Sequence, residues 1–213
     1  MKNLRKTNKI KSLIANNLIE NKREYIIILI LFIIGIFSGV LFVNNLKENQ
    51  FNNISNYINT FIEKIKGIEN INTLQILKTS VLQNIGLSLL ICFFGTTVIG
   101  IPVVFGLIIY RGFCLGYTIS SFISVLGTAK GLAFLLSDLL LQNIIFIPAI
   151  IAIAVSGFRL YKSIIKDRKR ENIKIEVVRH IIFSGFMTLL IVFSSLIEVF
   201  ISNNLMKMII TYI

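Results

Sequence analysis

Apolar and polar positions alternate along this chain in long blocks rather than in short stripes. Tyr25 to Leu46 carries no charged residue, and neither do Thr79 to Tyr110, Gly112 to Ala129 or Ile181 to Ile197. Gly131 to Phe158 holds a single acid, Asp138. A helix needs about 20 mostly apolar residues to cross a hydrocarbon core of roughly 30 Å. A helix of a soluble domain would pair one apolar stripe with a charged opposite face, not run uncharged all round. The pattern predicts an all-α, polytopic integral membrane helix bundle of about five spans, at 25–46, 84–109, 112–127, 132–156 and 178–200.

The polar blocks have patterns of their own. Residues 1–24 are basic, with sparse apolar positions at Ile10, Leu13, Ile14 and Leu18, which fits a short amphipathic helix on the inner leaflet. The apolar run from Tyr25 is longer than a signal-peptide core and no A-x-A site follows, so the first span reads as an uncleaved anchor. The 44–83 loop places Phe51, Ile54, Tyr57, Ile58, Phe61, Ile62 and Ile65 at helical spacing among Asn, Lys and Glu. That is an amphipathic helix between spans one and two. Its apolar face either rests on the leaflet or caps the bundle, or it is a docking face for an extracytoplasmic partner through Phe51, Tyr57 and Phe61. A second short pattern, Leu74, Leu77, Val81 and Ile85, leads into span two.

Charge sets the orientation. The net charge is +12, but its placement matters more. Of 22 Lys and Arg, residues 1–24 hold seven and 159–179 hold eight. Arg111, read as the inner turn between spans two and three, brings the total on that side to 16, against six on the other. Basic residues favour the cytoplasmic face. The expected topology is N-in/C-out, with 1–24 a cytoplasmic segment, 25–213 one membrane domain and 159–177 an inner basic loop. Basic segments that flank apolar spans answer to this rule and to anionic headgroups, not to nucleic acid.

Within the spans, Gly100 and Pro102 predict a kink or local unwinding, because proline removes a helical hydrogen bond. Span three is short and reads as crossing rather than re-entrant. Small residues repeat at i, i+4 in Gly35 and Gly39, Gly112 and Gly116, and Gly127 and Gly131. Such spacing lets backbones approach closely in lipid, in a tight bundle or a homo-oligomer. Span four carries Asp138, Gln142, Asn143 and Pro148, with Asp138, Gln142 and Phe146 sharing a face. Asp138 and Glu198, near the outer ends of spans four and five, are interfacial acids that orient helices, an ion relay, or partner contacts.

Catalytic signals are missing. The chain has no H-E-x-x-H, no G-x-S-x-G and no Walker loop. It has two aspartates, and Asp167 belongs to the basic loop, so a pair of intramembrane aspartates is excluded. Cys92 and Cys114 lie in apolar spans without C-x-x-C spacing. His180 is the sole histidine, at a predicted membrane edge, which leaves little material for a metal or cofactor site. No catalytic, cofactor or metal residue is assigned. A transporter-like permease for a small solute or ion is the competing reading, since transporters use broken helices and intramembrane polar groups. No internal repeat accompanies them.

The run Gly95-Thr-Thr-Val-Ile-Gly100-Ile-Pro102, the later Arg111-Gly112 and Gly116-Tyr-Thr, Gln142-Asn143 with Ile147-Pro148, and Glu198 with Phe200-Ile-Ser202 resemble the stage II sporulation protein M family. The likeness covers nearly the whole chain, through the order and spacing of these motifs. Where the family pattern has proline before the Gln-Asn pair and after the late glutamate, this chain has Leu141 and Asn203. The resemblance implies a non-enzymatic component of the sporulation engulfment machinery in the bacterial cell membrane. It would anchor or position peptidoglycan-remodelling proteins, stage II sporulation proteins D and P, at the septal membrane. It also implies helix-shaping and packing roles for Gly95, Gly100, Pro102, Gly112, Gly116, Gln142, Asn143 and Pro148, together with a role for Glu198.

Overall fold

The computed structural model describes residues 21–67, 73–166 and 173–197; the side chains of 64–67, 73–77, 134, 136–142, 166 and 197 lie outside that description. Regular structure among the described residues is helical: α1 (Lys22–Asn44), α2 (Glu48–Gly67), α3 (Thr73–Gly95), α4 (Ile101–Leu126), α5 (Thr128–Lys166) and α6 (Ile173–Ile197). Five of these, all but α2, contain a window long and apolar enough to cross a membrane. The chain is an all-α, multi-pass membrane protein. The expected amphipathic segment at 1–24 lies outside the described residues, apart from its last four positions.

The second and third spans divide elsewhere than at Arg111. Helix α3 ends at Gly95 and α4 starts at Ile101, so the break expected near Gly100 and Pro102 takes the form of local unwinding, a turn at 96–100 between two helices, and not of a kink within one. Local chemistry explains the break. The backbone N–H groups of Thr96 and Thr97 donate to the Phe93 and Phe94 carbonyls, and the two hydroxyls add bonds to the same carbonyls at 2.7 and 3.1 Å, tightening the end of α3. Thr97 Oγ1 also accepts the Gly100 N–H at 3.1 Å. A β-carbon on Gly100 would lie 2.1 Å from the Phe94 carbonyl oxygen, so only glycine fits. Pro102 falls in the first turn of α4, where a missing N–H costs nothing. Spans 84–109 and 112–127 of the sequence reading therefore become α3 and α4, and Arg111 sits inside α4.

Helices α1 and α4 run parallel and meet through glycine. The buried stripe of α1 is Ile28, Phe32, Gly35, Gly39 and Val43. A β-carbon on Gly35 or Gly39 would come within 2.2 or 2.3 Å of the Ile109 or Phe113 carbonyl oxygen. The reverse holds on α4, where Gly112 and Gly116 face the Phe32 and Ile36 carbonyls at 2.3 and 2.1 Å. Lipid gives helices no hydrophobic reason to associate, so close backbone packing carries the contact. Phe42 flanks it edge-on to Phe113, with centroids 5.7 Å apart. The third small pair behaves differently. Gly127, with φ of 81°, forms the bend between α4 and α5, and Gly131 packs on Phe122 across it.

Helix α5 is the centre of the bundle. Its apolar window is 61% buried, against 22–28% for the other four spans. Phe146, Ile150, Ile153 and Leu160 are fully enclosed. Helices α1, α4, α3 and α6 surround it in that order: α1 packs on α4, α4 on α3 and α3 on α6, and each also touches α5. Among the described residues no substantial contact closes the ring between α6 and α1, which leaves a seam over α5 between these helices. Outward faces are apolar, with Phe37, Phe93, Ile182 and Leu189 each more than 60% exposed, as lipid-facing side chains should be. At the end where α1 begins and α5 finishes, Lys162 Nζ donates to Glu24 Oε1 at 2.7 Å. That pair joins the first turn of α1 to the last turns of α5 at one end of the bundle, where Lys22, Arg23, Arg159 and Arg179 also lie.

Helix α2 lies across the opposite end. Gln50 Oε1 accepts the Lys47 N–H at 3.3 Å, a reach-back that starts the helix. Ile58 and Ile62 are 3% and 7% exposed and pack with Ile54 and Phe61 against Phe122, Val125 and Leu126 of α4.

Candidate functional site

The apolar face of α2 is split in its use. Ile58 and Ile62 are spent on the bundle, while Tyr57 is 74% exposed and Phe51 half-buried. Between α2 and α4 a groove of about 430 Å³ remains, lined by Asn53, Ile54, Tyr57, Ile58, Phe61, Tyr117, Thr118, Ser121 and Phe122. Its floor is apolar and its polar groups are amide, phenol and hydroxyl. Ser121 is 3% exposed and its Oγ is buried without a hydrogen-bond partner. A groove of this size and make-up can seat an apolar segment and offer it a few hydrogen bonds. Phe61 packs partly against the bundle, so of the three expected docking residues Tyr57 is the freest.

A second feature lies at mid-depth. Arg111 stands ten residues into α4, about 15 Å along its axis and so near half of a roughly 30 Å core. Its Nη2 donates to Asn143 Oδ1 at 3.4 Å, and its guanidinium lies 4.3 Å from the centre of the Phe146 ring. Asn143 is 5% exposed. The amide dipole and the ring face lower the cost of holding a cation at this depth. The fold thus brings Arg111 and Asn143 together from two helices. Asp138 and Gln142 lie on α5 with side chains outside the described set, and Glu198 lies outside the described residues altogether.

The remaining helix-shaping residues cluster by helix pair. Gly112 and Gly116 hold α4 to α1, Gly100 and Pro102 form the α3–α4 turn, and Pro148 sits exposed within an unbroken α5. Gly95 meets α5 and α6: a β-carbon there would be 3.0 Å from His180 Nε2 and 3.2 Å from the Gly157 Cα.

His180 is therefore not at an exposed edge. It is 2% exposed, with Nδ1 at 2.9 Å from Ser156 Oγ and Nε2 at 3.2 Å from the Cys92 carbonyl oxygen. A carbonyl only accepts, so Nε2 carries a proton and, in the neutral ring, Nδ1 accepts from Ser156. The junction extends along α3 and α6, where Ser88 pairs with Thr188 at 2.5 Å and Asn84 Nδ2 donates to Ser195 Oγ at 3.0 Å. Sequence reasoning passed over this ladder. Its one signal is the spacing of Asn84, Ser88 and Cys92 at i, i+4, i+8 on α3.

A family model described as stage II sporulation protein M matches residues 28–203. No curated protein and no solved structure matches the chain significantly.

Proposed function

Because the chain belongs to the stage II sporulation protein M family, we propose that it is a non-enzymatic scaffold of the engulfment machinery. In this reading it anchors peptidoglycan-remodelling proteins, stage II sporulation proteins D and P, at the septal or engulfing membrane. The supporting observation is the groove between α2 and α4, open at Tyr57, on the end of the bundle opposite the Glu24–Lys162 pair. Fifteen of the 22 basic residues fall in 1–24 and 159–179, and the Glu24–Lys162 pair marks the end of the bundle at which the described parts of those segments meet. By the positive-inside rule that end is cytoplasmic. The groove then faces the compartment in which cell-wall hydrolases work.

The test replaces Tyr57 with Ser and Asn53 with Arg, confirms membrane insertion, and measures recovery of the two hydrolases with the tagged chain. Recovery should fall severalfold. Undiminished recovery rejects the groove as the docking surface.

A second reading, a permease, draws on Arg111 and Asn143 at mid-depth. It requires solute or ion flux in liposomes that Arg111→Met abolishes.

A further inference from the structure

At the basic end, three helices turn graded faces toward a cleft of about 60 Å³. Along α5, Ala152 and Val155 line its inner part, and Ser156 and Arg159 follow toward the end of the helix. Along α6, Phe183 gives way to Arg179; at the start of α1, Tyr25 gives way to Asn21, the capping residue before its first turn. Steps of three or four residues keep each series on one helical face. All three therefore pass from apolar to polar in the same direction, from the bilayer interior toward the end where positive charge gathers.

The cleft lies in the open seam between α1 and α6, with α5 as its floor. Below it, Pro148 and Ile144 continue the same face of α5; Pro148 is exposed and Ile144 is 65% exposed. Arg159 is half-buried and has no ion-pair or hydrogen-bond partner among the described residues. Arg179 is half-exposed and pairs with Glu176, one turn back along α6. Of the neighbouring charges, Glu24 and Lys162 pair with each other, and Lys22 and Arg23 in the first turn of α1 add further positive charge. Ser156 is committed to His180 behind the cleft. Among the described residues the balance at this end is positive, with Arg159 unpaired and Arg179 within reach above an apolar furrow.

We propose that this cleft binds an anionic phospholipid. Arg159 and Arg179 hold the phosphate oxygens, and one acyl chain lies along α5 over Ala152 and Pro148 to Ile144. Guanidinium groups match phosphate in charge and fork geometry. Basic pockets between membrane helices on the cytoplasmic side are established places for such headgroups. A single water needs about 10–15 Å³ of probe-occupied volume, so the cleft has room for a group of several heavy atoms. Free phosphate shares the headgroup chemistry but leaves the furrow unfilled; the lipid uses both.

The full chain, purified in a non-ionic detergent, would be titrated with phosphatidylglycerol, phosphatidylcholine and inorganic phosphate, and bound lipid counted by native mass spectrometry. Phosphatidylglycerol should be retained over phosphatidylcholine, and millimolar phosphate should not displace it. Arg159→Gln should weaken phosphatidylglycerol binding about tenfold, the loss of one charge-assisted phosphate contact, and leave phosphatidylcholine unchanged. Lys130→Gln, at the other end of the bundle, should change nothing. If Arg159→Gln loses its cooperative unfolding transition, Arg179→Gln reads the same loss from a half-exposed position. Equal retention of the two lipids, or unchanged phosphatidylglycerol binding in both arginine variants, overturns the proposal. Displacement by inorganic phosphate does so as well, and assigns the site to the free ion.

Discussion

Gly116 and Ile36 are held so close that a β-carbon on the glycine would lie 2.1 Å from the isoleucine carbonyl oxygen. Backbone atoms cannot move aside as a flexible side chain can, so Gly116→Leu must push α4 away from α1. The expected cost is at least about 1–3 kcal/mol from overpacking. Gly86 gives the control, because nothing lies within 4 Å of a β-carbon there. Gly86→Ala should be neutral, or stabilising by up to about 1 kcal/mol from helix propensity. Thermal unfolding in detergent separates the two.

Asn143→Leu removes the amide oxygen that accepts from Arg111 near the middle of the bilayer. Loss of a buried acceptor for a charged donor should cost about 1–3 kcal/mol. Asn143→Gln keeps the amide and should recover part of it. Unfolding midpoints of the two variants measure the difference.

The α3–α6 ladder should be worth less. Hydrogen bonds between membrane helices average about 0.6 kcal/mol by double-mutant cycles. A cycle of Asn84→Ala with Ser195→Ala, read by unfolding in detergent, should give a coupling of that order through their 3.0 Å bond.

The proposed topology makes a labelling prediction. Cysteine at Tyr57, 74% exposed on α2, and cysteine at Ile165, 53% exposed near the end of α5, should lie on opposite sides of the membrane. With Cys92 and Cys114 replaced by alanine, an impermeant maleimide added to intact cells should label the first and not the second. Labelling of both from one side rejects the N-in/C-out arrangement.

Ile58 and Ile62 tie α2 to the end of α4. Ile58→Ala should loosen that contact by about 2–4 kcal/mol. The readout is faster amide exchange across α2, with α1 and α5 unaffected.

The spans were legible because uncharged length is a local property. So was the Gly35, Gly39, Gly112 and Gly116 contact, since small residues at i, i+4 mark a face before its partner is known. The α3–α4 turn was misplaced because a charge such as Arg111 looks like a membrane boundary. The Gly100 and Pro102 pair was the better boundary signal, with two threonines ready to close the helix end. Arg111 is tolerated at depth through Asn143 and Phe146, which lie 32 and 35 positions away, and no local pattern pairs them. The burial of His180 is hidden in the same way, because Cys92, Ser156 and Gly95 come from other helices. The seam over α5 is a property of ring closure and has no signature in any one segment.

The parallel pairing of α1 with α4 has a consequence for biogenesis. Seventy-seven positions separate Gly35 from Gly112, and all of α2 and α3 is synthesised between them. At about 5–20 residues per second on the ribosome, the first span waits several seconds in the bilayer before its main neighbour arrives. Its glycine stripe stays open throughout that wait, so the translocon, a chaperone or a second nascent chain has first access to it.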